Sequence, residues 1–77
     1  MSVYRVHFDH PELPVLVHSA RDANELANRL NEDLASYGKR GVIPADCSAA
    51  TDLTQGTGTV YNGEQPVCTF DIERVAV

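Results

Sequence analysis

The chain has no tryptophan, one methionine and only two cysteines, Cys47 and Cys68, among its 77 residues. Two cysteines are too few for the disulfide framework of a small secreted domain. The first residues also lack the basic and apolar regions of a signal peptide. The sequence therefore predicts a cytoplasmic protein with reduced thiols, and it leaves open a single bond between Cys47 and Cys68.

Long apolar runs and basic residues are scarce as well. No apolar run approaches the roughly 18–20 residues that a membrane span requires. Six Lys and Arg stand against eleven Asp and Glu, which gives a net charge of −5. Direct nucleic-acid binding requires a basic face, so this composition argues against it. An acidic chain instead favours a protein partner with a basic surface.

The common catalytic and metal-binding motifs are missing too. No stretch has His-Glu-x-x-His, Cys-x-x-Cys or Gly-x-Ser-x-Gly spacing. The glycines of 56–59 lack the Gly-Lys-Ser/Thr ending of a phosphate-binding loop and precede a predicted strand. Asp71 and Glu73, two residues apart on an exposed strand, are poorly arranged for acid–base catalysis. We expect no enzymatic activity, no cofactor and no bound metal.

Alternating apolar residues are present at the beginning of the chain and predict a strand over about 3–9. Two prolines then interrupt the pattern, and a second strand follows over about 14–18. Pairing Asp9 with Pro14 gives a tight hairpin. This register places four side chains on the core face, namely Tyr4, Phe8, Val15 and Val17, and it turns Leu16 and His18 to the other face.

A helix is predicted over about 20–37. Ser19 is a suitable N-cap with Asp22 three residues later, and Gly38 is a suitable terminating residue. Between them the apolar positions recur at helical spacing. They are Ala23, Leu26, Ala27, Leu30, Leu34 and Tyr37. The charged residues Glu25, Arg29, Glu32 and Asp33 are predicted to form the solvated face.

The second half contains a weak and a strong region. In the weak region, 39–56, Pro44 to Leu53 is predicted to form a short helix or an ordered connection. Strands over about 57–61 and 66–75 then flank the turn signal Asn62-Gly63. In the last strand Cys68, Phe70 and Ile72 are predicted to face the core, and Thr69, Asp71 and Glu73 to face outward.

These elements predict an α+β fold in which residues 1–77 form one domain. The order is β-β-α-β-β, with a four-stranded, mainly antiparallel sheet and one helix on one of its faces. A single helix covers one face only, so the other face is open to solvent or to a partner. By parity the predicted open face carries Arg5, His7, Asp9, Leu16, His18, Thr69, Asp71 and Glu73.

All three histidines lie between Val6 and Ser19, which raises the question of a metal site. In the predicted register His7 and His18 are diagonal neighbours, and Asp9 points the same way. Zinc requires three or four ligands converging on one point, each oriented by further contacts. The pattern favours solvated histidines in an ordinary hairpin.

Two segments together resemble small bacterial immunity proteins that neutralise toxins. They are PVLVHSARDANELANRLNEDL, from Pro14 to Leu34, and GTGTVYNG, from Gly56 to Gly63. In size, charge and design the chain is also similar to small acidic phage-encoded inhibitors such as anti-CRISPR proteins. The chain lacks the longer C-terminal part of the immunity family, and no functional residue is carried over. The resemblance implies an inhibitor that acts by binding.

Charge and resemblance together predict a small non-enzymatic inhibitor that occludes a basic macromolecular target, either a toxin or a nucleic-acid-processing complex. The alternative is an assembly module that forms a homo-oligomer through its open sheet face or an edge strand. The candidate partner-binding residues are the acids Asp71, Glu73 and Asp9, the apolar anchors Leu16 and Tyr61, and His18.

Overall fold

The computed structural model describes all 77 residues and has the predicted α+β architecture with one strand more than expected. Five antiparallel strands form one sheet in the order β2-β1-β5-β4-β3, and a single helix packs on one face. No helix is long and apolar enough to span a bilayer. The elements are β1 (Ser2–Phe8), β2 (Leu16–Ala20), α1 (Ala23–Lys39), β3 (Cys47–Asp52), β4 (Thr57–Asn62) and β5 (Gln65–Ala76).

The additional strand is β3, which lies within the segment for which a short helix or an ordered connection was predicted. Its sequence, CSAATD, is rich in small residues that are not strong strand formers, so no local pattern identified it. The strand forms because it pairs along its whole length with β4, from Cys47 opposite Asn62 to Asp52 opposite Thr57. The order is therefore β-β-α-β-β-β, and the prediction of four strands is wrong.

The predicted register of the first hairpin is wrong by one residue. His18 lies opposite Tyr4 and Leu16 opposite Val6, instead of His18 opposite Arg5. Because side chains alternate along a strand, this shift exchanges the two faces of β2. Val15 and Val17, predicted in the core, are exposed, while Leu16 and His18 turn toward α1.

The β1–β2 loop explains this register. A tight connection was predicted, but the loop runs from Asp9 to Val15 and folds Leu13 into the core. The Leu13 N–H donates to the His10 carbonyl, and the Glu12 N–H donates to His10 Nδ1. With Leu13 buried in this way, Leu16 rather than Val17 lies opposite Val6, so β2 pairs one residue earlier than predicted and turns its other face to the core.

The predicted helix is present but begins three residues later and ends two residues later. Asp22 rather than Ser19 is the N-cap, and its carboxylate accepts the Glu25 N–H at 2.8 Å. Ser19 is unavailable because it belongs to β2. At the other end Gly38 lies inside the helix, and Gly41 adopts the left-handed conformation, with φ of 78°.

The end of α1 has the hydrogen bonds of a Schellman motif. The Val42 N–H donates to the Tyr37 carbonyl, and the Gly41 N–H donates to the Gly38 carbonyl. Val42 and Tyr37 both pack against the core, which is the apolar contact that commonly accompanies this motif. In the loop that follows, Ile43 is buried.

The core lies between α1 and a sheet that curls around it. The backbone of α1 approaches the two edge strands, β2 and β3, most closely. The apolar stripe of the helix fills the space over the central strands, as its spacing predicted. The most completely buried side chains are Leu26, Leu30 and Leu34 from α1 with Val6, Val60 and Phe70 from the sheet.

The second hairpin closely follows its prediction. The β4 and β5 strands meet at a two-residue turn, Gly63-Glu64, which is displaced by one residue from the predicted turn Asn62-Gly63. Phe70 is buried and Ile72 half-buried, whereas Asp71 and Glu73 are exposed. The parity of β5 is therefore confirmed.

Candidate functional site

The face of the sheet opposite α1 is not covered by any element, and we refer to it as the open face. Strand parity and the observed registers place one set of side chains from every strand on it. These are Val15, Val17 and Ser19 at β2; Val3, Arg5 and His7 on β1; Thr69, Asp71 and Glu73 on β5; Thr57, Thr59 and Tyr61 on β4; and Ser48, Ala50 and Asp52 on β3.

The candidate partner-binding residues divide between the two faces. Asp71, Glu73 and Tyr61 lie on the open face, and exposed Asp9 directly follows β1 at its margin. The one-residue register shift places Leu16 and His18 on the helix side instead. Their predicted contribution to the open face is therefore wrong.

The two acids predicted to act together on β5 differ in their surroundings. Glu73 accepts a hydrogen bond from Arg5 on β1 at 2.7 Å, with side-chain exposures of 59% and 44%. Arg5 therefore offsets the charge of Glu73. Asp71 lies between His7 and Thr57 and has no ion pair. Of these two candidate residues, only Asp71 keeps its charge unpaired.

Asp52 is an acid of the open face that the sequence patterns did not identify. It lies opposite Thr57 at the end of β3, and Thr57 in turn lies opposite Asp71. The two carboxylates thus flank one threonine across three adjacent strands. Without β3 in the predicted fold, there was no signal to place Asp52 on this face.

The net charge of the protein is concentrated away from the helix. Residues 21–40 contain four bases and four acids, so this segment is neutral. The rest of the chain has two bases and seven acids, which accounts for the whole net charge of −5. Of these seven acids, Asp52, Asp71 and Glu73 lie on the open face. Of the two bases, only Arg5 lies there. The open face is therefore the acidic side of the sheet.

His18 joins the edge strand β2 to α1. Its Nε2 lies 2.5 Å from Oδ2 of Asp33, and the side chains are 24% and 32% exposed. Asp33 was predicted to lie on the solvated face of the helix, and its half-buried contact with His18 shows that this was wrong. The pair fixes the position of β2 relative to the helix.

The observed register also separates the residues considered as metal ligands. His7 lies on the open face, whereas His18 faces α1, so the sheet lies between them. No group of three or more His, Cys, Asp or Glu side chains in the structure is arranged to hold a metal ion.

The two cysteines are free thiols on the helix side of the sheet. They belong to β3 and β5 and lie opposite Asn62 and Val60 of the intervening strand β4, so their Cα atoms are farther apart than two strand spacings, about 9–10 Å. A disulfide requires a separation below about 7 Å, and this geometry therefore disfavours the bond. Burial raises the pKa of the Cys68 thiol, and the negative charges of Asp9 and of the Cys47 thiolate raise it further.

A hollow of about 450 Å³ lies between the end of α1 and the start of β3. Lys39 and Asp46 are its charged lining residues, and Cys47 closes one side. The Cys47 thiol donates to the Pro44 carbonyl at 3.0 Å. This contact gives Cys47 a structural role in the loop before β3.

Comparisons of the chain with protein-family models, with curated proteins and with solved structures found no match.

Proposed function

We propose that the protein is a small non-enzymatic inhibitor that binds a basic macromolecular target through its open face. The observation that supports this most directly is the distribution of charge. The helix segment is neutral, and the net charge of −5 belongs to the sheet and its loops. A basic partner is therefore attracted preferentially to the sheet side.

The acids that steer the partner are Asp71 and Asp52. Neither forms an ion pair within the chain, whereas Glu73 is offset by Arg5. Charges at the rim of an interface act mainly on the association rate, which falls as salt screens them. Tyr61, half-buried on the same face, supplies an aromatic anchor of the kind that dominates binding energy in interfaces.

The target is a toxin or a nucleic-acid-processing complex. This choice rests on the resemblance to immunity and anti-CRISPR proteins, which act on these two classes of target. An acidic face that occupies such a surface excludes the natural substrate by occlusion, without any catalytic step.

The test uses two double variants that change the net charge equally. Thr57→Lys with Asp71→Lys alters the open face, where these residues lie opposite each other. Asn28→Lys with Glu32→Lys alters the exposed face of α1, where these residues lie one turn apart. Each variant adds like charges side by side, so their small costs in stability are matched.

The native protein is used to capture its partner from source cells at low salt, and the isolated partner then serves as the probe. We expect the open-face variant to associate at least roughly tenfold more slowly than the native protein, with the helix variant much less affected. The native protein in excess must also abolish the activity of the isolated partner. Equal rates for both variants, or a larger loss in the helix variant, would show that the open face is not the binding surface.

A further inference from the structure

The two edge strands of the sheet, β3 and β2, differ in whether other parts of the chain bond to their outer side. At β3 the edge is covered by α1: the Ala49 N–H donates to the Asn31 side chain at 2.7 Å, and the Thr51 hydroxyl donates to the Ala23 carbonyl. At β2 no such cover exists. No backbone group from Val15 to Ala20 bonds to a side chain or to any loop.

We refer to the outer side of β2 as the bare edge. The alternation of backbone hydrogen bonds along the strands shows which residues of β2 point outward there. The Asp9 N–H donates to Thr69 on β5, so the odd-numbered residues of β1 bond toward β5 and the even-numbered ones toward β2. Leu16 and His18 pair with even-numbered residues of β1 and are satisfied. The backbone groups of Val15, Val17 and Ser19 therefore point away from the sheet.

This bare edge lacks the features by which proteins usually protect an exposed strand. It has no lysine, no bulge and no proline within Leu16–Ala20. Its one titratable residue, His18, is turned inward to Asp33. Val15 and Val17 are 51% and 55% exposed, and the other exposed large apolar residues lie at the start of β1 and the end of β5. Those residues are Met1, Val75 and Val77.

We propose that the β2 edge pairs with the β2 edge of a second copy of this chain, antiparallel across a two-fold axis at Val17. Val17 then lies opposite Val17 of the second copy, and Val15 lies opposite its Ser19. These are the residues with outward-pointing backbone groups, so each pair exchanges two hydrogen bonds. The two sheets continue into one, with both open faces on the same side.

A second copy fits this edge better than a basic partner does. The β2 edge presents no charge on the open face, so it offers nothing for a basic chain to recognise. A two-fold axis places each residue near its own copy, and valines tolerate this arrangement where like charges would not. Asp71 lies on the central strand β5 and Asp52 on the far edge strand β3, so both acids are at least two strands away from the axis.

The length of the edge sets the strength of the dimer. A strand as short as β2 buries less than the roughly 1,200 Å² at the lower end of stable interfaces, so the dimer is weak and has to be sought at high protein concentration. Each copy has a net charge of −5, so added salt strengthens the dimer by screening their repulsion. Partner binding through the acidic open face has the opposite salt dependence and is independent of this proposal.

The test is sedimentation equilibrium on the full chain, up to several hundred micromolar, with three single variants. We expect a concentration-dependent dimer for the native protein. Val17→Asp and Val17→Lys each place like charges across the axis and should weaken association at least roughly tenfold. Ala50→Asp adds the same charge to the open face at the other edge strand and should leave the dimer unchanged.

Mixing the two Val17 variants in equal amounts tests the register itself. The axis at Val17 places the new aspartate of one copy opposite the new lysine of the other, so the mixture should form a heterodimer, visible by native mass spectrometry. A native protein that stays monomeric overturns the proposal, as does a dimer that survives Val17→Asp. A mixture that remains monomeric rules out the axis at Val17. Circular dichroism of each variant verifies that its fold is intact.

Discussion

The Phe70 ring lies directly over Gly58, its partner on β4, and occupies the space where any other residue would place its Cβ. A Cβ at this position would also lie 2.6 Å from the carbonyl oxygen of Ala50. Phe70 is buried and packs against Phe8, with ring centroids 5.3 Å apart. The glycine is therefore required by packing and not by backbone conformation.

Replacing Gly58 with alanine should lower the free energy of unfolding by about 1–3 kcal/mol, because the ring has no free space into which it can move. Urea denaturation measures this change. Phe70→Leu makes room at the same place, so the double variant should lose less stability than the sum of the two single losses. Full additivity would mean that the ring and the glycine do not restrict each other.

The His18–Asp33 pair should stabilise the protein by more than an exposed ion pair does. The half-buried side chains are held at 2.5 Å, and the coupling energy in a double-mutant cycle with alanine should be about 1 kcal/mol. The Arg21–Glu25 pair on α1 provides the comparison, with about 0.3–0.5 kcal/mol expected. A coupling energy no larger than this value would show that the link between β2 and the helix stabilises the protein no more than an exposed ion pair does.

The position of the N-cap can be checked by two alanine substitutions. Asp22→Ala removes the acceptor of the Glu25 N–H and should cost about 1 kcal/mol. Ser19→Ala changes an exposed strand residue and should alter stability by less than about 0.5 kcal/mol. Thermal denaturation followed by circular dichroism compares them. The reverse ranking would place the helix start at Ser19.

The pKa of Cys68 should fall when Asp9 is replaced by asparagine, because the charge of Asp9 opposes thiolate formation. The alkylation rate of Cys68, followed by peptide mass mapping, should then rise at a lower pH than in the native protein. Glu12→Gln, in the same loop, is the control and should leave the curve unchanged.

The raised pKa of Cys68 also predicts how stability depends on pH. The thiol ionises more easily in the unfolded chain than in the folded one, so its contribution is complete below the unfolded pKa. The contribution is lost as pH rises through the folded pKa. Urea denaturation at increasing alkaline pH should show this loss, and it should be smaller in Asp9→Asn.

The sequence alone determined the elements that depend on short-range patterns. The leucine stripe of α1 and the alternation around Phe70 in β5 were both predicted, because each requires only neighbours within a few residues along the chain. The open face followed from the presence of a single helix. Asp71 and Glu73 were placed on it correctly because the parity of β5 was clear.

Only the tertiary structure decided the features that depend on distant residues. β3 has small side chains and weak propensity, and it becomes a strand because β4 and Asn31 satisfy its backbone. Because β3 was absent from the predicted fold, Asp52 was not placed on the open face.

The register of β2 was ambiguous for a different reason, since two alternating sets of side chains compete for the core. Judged by local pattern alone, Val15 and Val17 belong to the more apolar of the two sets. Burial of Leu13, burial of Ala20 and the contact of His18 with Asp33 favour the other set. All three contributions arise from contacts with other parts of the fold, so no local pattern in the sequence could select between two registers one residue apart.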